Sequence, residues 1–430
     1  VIRAYKFLLR PTLRQQHALC EMLRDHCSLY NAALQERRDA YRHVSKTHIR
    51  YGDQSVQLKE IRAFDPERQG RWSFSSQQAT LRRLDKAFAA FFRRVRTGRK
   101  PGYPRFKGVG HFDTVMFPKD GDGCRWDSTP HNRQTRVRMQ GIGHIRVHQH
   151  RSVQGRVKTI SIKRESARWY VVLACDAVPA DPLPATGRQM GIDMGITHFL
   201  TTSEGVHVEN PEYGKKTAAA LAAAQRTLVT FPRRSKGRSK AHRAAARKVA
   251  MLHAKARRQR LDFAHKAANF VIRDADVIAH ERLNITSMTR APKAKPDLGN
   301  AGAFLPNGAA AKAGLNRSIL DAGWGIFLNI LANKAESAGR RVIQVDARNT
   351  SRTCPDPTCG HVTADNRDGE AFACVKCGLI EHADRVGAIN INHRAGLALC
   401  AVAVQPPKQE ADDFSHGRSH PDNHSMAKHG

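Results

Sequence analysis

No stretch of the 430-residue chain approaches the roughly 20 consecutive apolar residues that span a bilayer. The opening Val1-Ile2-Arg3-Ala4-Tyr5-Lys6 has no apolar signal-peptide core, so no membrane partner is expected. Acidic residues are scarce: 38 Asp and Glu face 72 Lys and Arg, a formal net charge of +34. Self-repulsion of that size destabilises a compact chain unless a polyanion neutralises it. Counterions released from phosphates would then supply binding energy. The charge is spread over most of the chain, which favours nucleic acid over an anionic membrane or a merely soluble basic protein. A disulfide framework is also missing. Of nine cysteines, Cys20, Cys27, Cys124, Cys175 and Cys400 are scattered, while four fall between positions 354 and 377. That pattern points to a metal site plus free thiols in a reducing compartment, the cytoplasm or the nucleoid within it.

What is present suits two or three domains with real cores, since 40% of the residues are hydrophobic. Residues 1–10 alternate as a strand, with Tyr5, Phe7 and Leu9 apolar, and Pro11 ends it. Helical spacing runs from Thr12 to about Arg42, and a second helix from near Ser75 to Val95. Strands are expected at 112–117, 136–147, 157–163 and 169–175, antiparallel lengths that suggest a small barrel. A helical block would be inserted after its first strand. Pro179 to Thr186 reads as a linker. Beyond it come strands at 191–193, 198–202 and 206–208, a long helical region from about 215 to 272, strand 276–281 and a Gly/Ala/Pro/Asn-rich loop at 289–316. Helix 321–338, strand 341–345 and a helix from about Ala383 complete the order βββ–α–β–α–β–α, that of an RNase H-like domain. The tail has no periodicity and is expected to be disordered.

Three carboxylates carry the chemistry. Asp193 ends a strand in Met190-Gly-Ile-Asp-Met-Gly-Ile196, an acid among apolar residues with flanking glycines that let a phosphate approach. Glu281 ends Val277-Ile-Ala-His-Glu281, and Asp384 opens the last helix. Alone, Asp384 reads as a helix cap and Glu281 as a strand-end surface acid. In the RNase H-like order the three can converge on two Mg²⁺ or Mn²⁺ about 4 Å apart. Cys354, Cys359, Cys374 and Cys377 form C-x₄-C–x₁₄–C-x₂-C, two knuckles suited to structural zinc. Residues 233–266 contain 13 Lys/Arg and one acid, Asp262. Arg243, Arg247, Arg257, Arg258 and Arg260 are therefore expected to form an unpaired phosphate track. A second basic surface comprises Arg82, Arg83, Arg105 and Lys107. Tyr103 and Phe106 beside it would pack in preference to stacking on bases.

These features resemble the transposon-encoded TnpB family. The likeness rests on the three acids, the knuckles between the second and third, Gly102-Tyr-Pro-Arg-Phe-Lys107, Arg260-Leu-Asp-Phe-Ala-His-Lys266, Asp321-Ala-Gly-Trp-Gly325 and Asn349-Thr-Ser-Arg-Thr-Cys354. The resemblance implies an RNA-guided DNA endonuclease with one RuvC site, kin to compact type V CRISPR effectors. It implies a guide RNA made from the transposon end and double-stranded target DNA with an adjacent motif contacted by Tyr51 and Gln78. A chain monomeric in its complex is expected. The fold class would be α+β multidomain: a wedge-like barrel (1–10 and 101–180), a helical recognition insert (11–100), the nuclease (187–349 and 381–396), a zinc ribbon (350–380) and the tail (397–430). Two departures from the family stand out. The first knuckle has four intervening residues instead of two, and Val386-Gly387 replaces Asn-Ala. An RNA-guided repressor with weak or no cleavage, a compact type V CRISPR effector and a true transposase are the alternatives; the first expects a missing acid, and the last leaves the basic N-terminal half unused.

Overall fold

The computed structural model describes residues 1–404 except 109, 129–134, 232–238, 298 and 301. Strand β1 (Arg3–Arg10) alternates as expected, with Tyr5, Phe7 and Leu9 buried. Helix α1 (Leu13–Arg42) starts with a reciprocal cap. Thr12 Oγ1 accepts the Gln15 N–H at 3.3 Å, and Gln15 Oε1 accepts the Thr12 N–H at 3.1 Å. Helix α2 (Tyr51–Phe64), absent from the sequence reading, follows, then α3 (Phe74–Arg96). α2 escapes a periodicity search because Leu58 is its one buried apolar residue.

Strands β2 (Thr114–Phe117), β3 (Cys124–Trp126), β4 (Arg136–Met139), β5 (Gly143–His148), β6 (Arg156–Glu165) and β7 (Arg168–Asp176) join β1. Among the described residues they form an antiparallel seven-stranded sheet in the order β2-β6-β7-β1-β5-β4-β3. β3 also lies near β6, so the sheet curls, and its inner face shares one core with α1–α3.

The second half is built on β8 (Gln189–Asp193), β9 (His198–Thr202) and β10 (His207–Glu209), followed by α4 (Tyr213–Val229), α5 (Lys240–Asp274) and β11 (Val277–Glu281). The short α6 (Ile285–Met288), β12 (Lys295–Pro296) and β13 (Phe304–Leu305) lead to α7 (Ala309–Ala322), α8 (Trp324–Ser337) and β14 (Arg341–Val345). Three short strands, β15 (Arg367–Asp368), β16 (Ala371–Ala373) and β17 (Ile380–His382), precede α9 (Ala383–Val404). Four expectations need correction. The strand expected over 136–147 is two, β4 and β5, folded back as an antiparallel pair around Gly141, whose φ of +76° is left-handed. Residues 309–316 are helix, because an Ala-rich run favours it despite Gly314. The single helix expected over 321–338 is two, broken at Gly323, whose φ of +74° is left-handed. The last helix continues to Val404, into the stretch read as disordered; residues 405–430 lie outside the described residues.

The central sheet runs β10-β9-β8-β11-β14, with β8, β11 and β14 parallel. Side chains alternate between two layers. Met190, Ile192 and Ile278 pack with Val271 of α5 and Phe327 and Leu331 of α8. Ala279 and Val345 pack with Ile391 and Ala395 of α9 on the other face. There α9 touches β8 backbone to backbone: a Cβ on Gly191 would lie 2.0 Å from the Ala388 carbonyl oxygen. The halves are joined by Glu165, which accepts Lys6 and Arg257 at 2.8 Å each, and the linker is tied to the second half by the Leu183 N–H donating to the Ala338 carbonyl at 3.1 Å.

Candidate functional site

Parallel pairing sets the first two acids side by side. Ala279 pairs with Gly191 and His280 with Ile192, so the next step brings Glu281 beside Asp193 at the carboxyl ends of β8 and β11. α9, seated on β8, delivers Asp384 from its first turn to the same cleft of about 410 Å³. Thr350, Ser351, Arg367, Glu370 and Trp324 complete the walls.

The electrostatics are those of three acids gathered in one partly buried cleft. Burial, then the neighbouring Glu281 and Asp384, push the Asp193 carboxyl up to about 8. Burial likewise raises Glu281, opposed by a hydrogen bond from the Thr350 hydroxyl. Arg367 reaches Asp384 at 3.8 Å, the one guanidinium paired with the triad among the described residues. Hard oxygen donors that resist ionisation together are stabilised by a divalent cation, so these residues fit Mg²⁺ or Mn²⁺.

The two departures in α9 have structural consequences. Val386 is fully buried against Cys354, Phe372 and Cys374, where it packs the cysteine module onto the helix. Gly387 faces Asp193: a Cβ there would come within 2.9 Å of Oδ2. Asn390, buried on the next turn, donates to the Thr350 and Thr353 carbonyls at 2.8 and 2.7 Å. Thr350 in turn holds Glu281, so α9 positions two acids.

The four clustered cysteines converge, with Sγ atoms all within 4.8 Å of one another. Cys354–Cys377 and Cys359–Cys374 are 3.6 and 3.7 Å apart. A tetrahedron with Zn–S of about 2.3 Å has edges of roughly 3.8 Å, so the set fits zinc despite its long first knuckle. Gly360 and Gly378 take left-handed φ of +55° and +78° after the second and fourth cysteines. The Gly378 N–H turns back to the Cys374 carbonyl at 2.8 Å.

The basic residues divide. Tyr51, Gln78 and Arg82 come together across α2 and α3, with the Arg82 guanidinium 5.1 Å from the Tyr51 ring and Gln78 donating to Ser55 at 3.0 Å. Arg83 lies over Phe112 at 4.9 Å, Arg105 is exposed, and the Lys107 backbone is clamped by Asn31. Tyr103 packs edge-on against Phe88 and Phe91, as expected for a packing ring. Arg243, Arg247 and Arg258 are exposed and have no carboxylate partner among the described residues. The unpaired track fails at Arg257 and Arg260, which pair with Glu165 and Asp321 at 2.8 Å. Their acids come from β6 and α7, far away in sequence, so local composition did not show them. Residues 232–238 of the segment lie outside the described residues. Sequence reasoning also missed Thr350 and Arg367, and three histidines beside Asp384: His198, His207 and His382. Thr350 lay within the quoted Asn349–Cys354 motif; the histidines belong to no motif.

Comparison with known proteins gives two family matches and full-length relatives. Residues 162–291, which contain Asp193 and Glu281, match the family described as "Probable transposase". Residues 324–391, which contain the cysteines and Asp384, match "Cas12f1-like, TNB domain". "Putative RNA-guided DNA endonuclease InsQ" of Escherichia coli (strain K12) is 30% identical over 96% of this chain and 98% of its own. A "Putative RNA-guided DNA endonuclease" of Streptomyces pristinaespiralis is 30% identical over 96% and 94%. The solved "mini-RNA-guided endonuclease CRISPR-Cas_phi3" shares the fold at TM-score 0.50, with 10% identity and 92% of each chain covered. With identity sustained along almost the full length of these relatives, the chain belongs to the TnpB family.

Proposed function

We propose that the chain is an RNA-guided DNA endonuclease of a transposable element, cutting target DNA beside a short adjacent motif by two-metal phosphodiester hydrolysis. The observation that carries this is the convergence of Asp193, Glu281 and Asp384 in one cleft, in a chain whose relatives bear that name. A repressor without cleavage would not need all three. In this reading the second half is an RNase H-like (RuvC) core, and the curled sheet is a wedge-like barrel carrying α1–α3 as recognition insert. The cysteine module is a zinc ribbon. Guide pairing reads sequence, while Tyr51 and Gln78 face the adjacent motif.

Asp193, Glu281 and Asp384 would hold two Mg²⁺ or Mn²⁺, which supply an activated water and stabilise the leaving 3′ oxygen. Thr350 keeps Glu281 oriented, and Arg367 keeps Asp384 facing the cleft. Arg243, Arg247 and Arg258 contact phosphates. Asp193→Ala tests the assignment: guided cleavage should vanish while guide and target binding persist, because the phosphate contacts remain. Cleavage at undiminished rate in that variant would refute it. A discrete RNA sequenced from the purified protein would establish the guided part, and its absence would remove it.

A further inference from the structure

Beside the carboxylate cleft three imidazoles gather from separate strands. The His198 and His207 rings, facing each other across β9 and β10, have centroids 4.3 Å apart, and His382 at the end of β17 lies 5.1 Å from His207 and 6.1 Å from His198. A nitrogen of His198, a nitrogen of His382 and an oxygen of Asp384 all fall within 4.8 Å of one another. Nδ1 of His198 is buried and has no hydrogen-bond partner among the described residues. An unsatisfied buried ring nitrogen costs free energy unless something occupies its lone pair or takes its proton. His207 is differently placed, since its Nδ1 is engaged with Thr201 Oγ1 at 2.9 Å. His382 accepts the Asp384 N–H at Nδ1, at 3.2 Å.

We propose that His198, His382 and Asp384 form a binding site for a borderline transition cation such as Co²⁺ or Zn²⁺, distinct in chemistry from the all-oxygen carboxylate site and from the cysteine cluster. Two imidazoles and one carboxylate from three elements select such ions over Mg²⁺, which prefers oxygen ligands and keeps its water. All three residues are partly exposed, so an ion can enter and solvent can complete its coordination. A neutral ring accepting at Nδ1 carries its proton on Nε2, so binding through Nε2 takes the other tautomer and gives up the long contact to the Asp384 N–H. Arg367 lies 3.8 Å from one Asp384 oxygen, Oδ1, and does not occupy the ring nitrogens. Because Asp384 belongs to both sites, a cation held by the histidines competes for a ligand of the cleavage metals. This consequence rests on the nuclease reading; the binding does not.

The test uses the full-length chain with its cysteine cluster already loaded with zinc, titrated with Co²⁺ in Mg²⁺-containing buffer by calorimetry and absorbance. We expect one Co²⁺ per chain with weak visible bands and no thiolate charge-transfer band. His198→Asn and His382→Asn should each weaken that binding by about tenfold or more. Circular dichroism checks that each variant is folded, and the singly substituted chains guard against the loss of either one. Equal Co²⁺ affinity in wild type and both folded variants would overturn the proposal, as would a thiolate band showing the ion in the cysteine cluster. In a cleavage assay with Mg²⁺, added Co²⁺ should slow wild type at concentrations that leave the residual rate of His198→Asn unaffected. If the chain does not cleave at all, the nuclease reading fails while the titration still decides the site.

Discussion

At the scale of single residues, position relative to the ends of strands made the acids legible. Asp193 and Glu281 end short apolar runs, and an acid in such a place stands out against its neighbours. The histidines did not stand out, because His198, His207 and His382 are brought together only by hairpin register and by the return of the chain into α9. Gly191 was read as room for a phosphate. The space beside it is instead filled by α9, whose Ala388 carbonyl would meet an added Cβ at 2.0 Å, so no phosphate can approach there. Because that neighbour is backbone, it cannot swing aside. Gly191→Ala should therefore lower unfolding stability by about 1–3 kcal/mol or more, and reduce cleavage by displacing Asp384 from Asp193. Chemical denaturation measures the first effect and a cleavage time course the second; unchanged stability would show that α9 packs less closely than described.

At the scale of elements, long amphipathic helices and alternating strands were readable, while elements held by few apolar contacts were not. α2 buries Gln54 and Leu58 and little else, and its polar partners on α1 and α3 carry no period. Junctions between elements show the same limit. Glu165 on β6 ties β1 to α5 through Lys6 and Arg257. Burial opposes its ionisation, but the hydrogen bonds and charges of Lys6 and Arg257 prevail and hold its carboxyl at about 2, below the ordinary 4.5. Between those values the unfolded chain binds a proton that the native chain does not. The stabilisation is thus complete above pH 4.5 and is lost as pH falls towards 2. Glu165→Gln should be less stable than wild type at neutral pH by no more than about 3 kcal/mol, and the gap should narrow on acidification. Urea melts across that range test this; a gap independent of pH would assign the loss to packing alone.

At the scale of the whole molecule, composition announced a polyanion partner but not which cations face it. Of the five arginines assigned to the track, Arg257 and Arg260 neutralise carboxylates from other parts of the fold, leaving Arg243, Arg247 and Arg258 with no carboxylate partner among the described residues. Converting these three together to Gln should weaken binding to matched targets of unrelated sequence by similar factors. It should also lower the slope of log affinity against log salt by up to about 2–3. Converting Arg257 and Arg260 should instead lower thermal stability, with a smaller change in slope. Filter binding across salt with two unrelated guides, alongside thermal melts, separates the two sets. A slope unmoved by the first substitution would make α5 a packing element.

The order in which the chain supplies its acids gives the cleft a history during synthesis. Asp193 and Asp384 are separated by 191 positions, 384 minus 193. At a few to some twenty residues per second, the ribosome therefore needs roughly 10–40 s to deliver the third acid after the first. The cysteine module also emerges before Asp384, so its knuckles can form before α9 closes onto β8. By the time α5 is made the nascent chain carries the segments of both proposed basic surfaces, yet it lacks the carboxylate that completes the proposed site. On the proposed reading, the segments that bind are made before the last residue needed to cut.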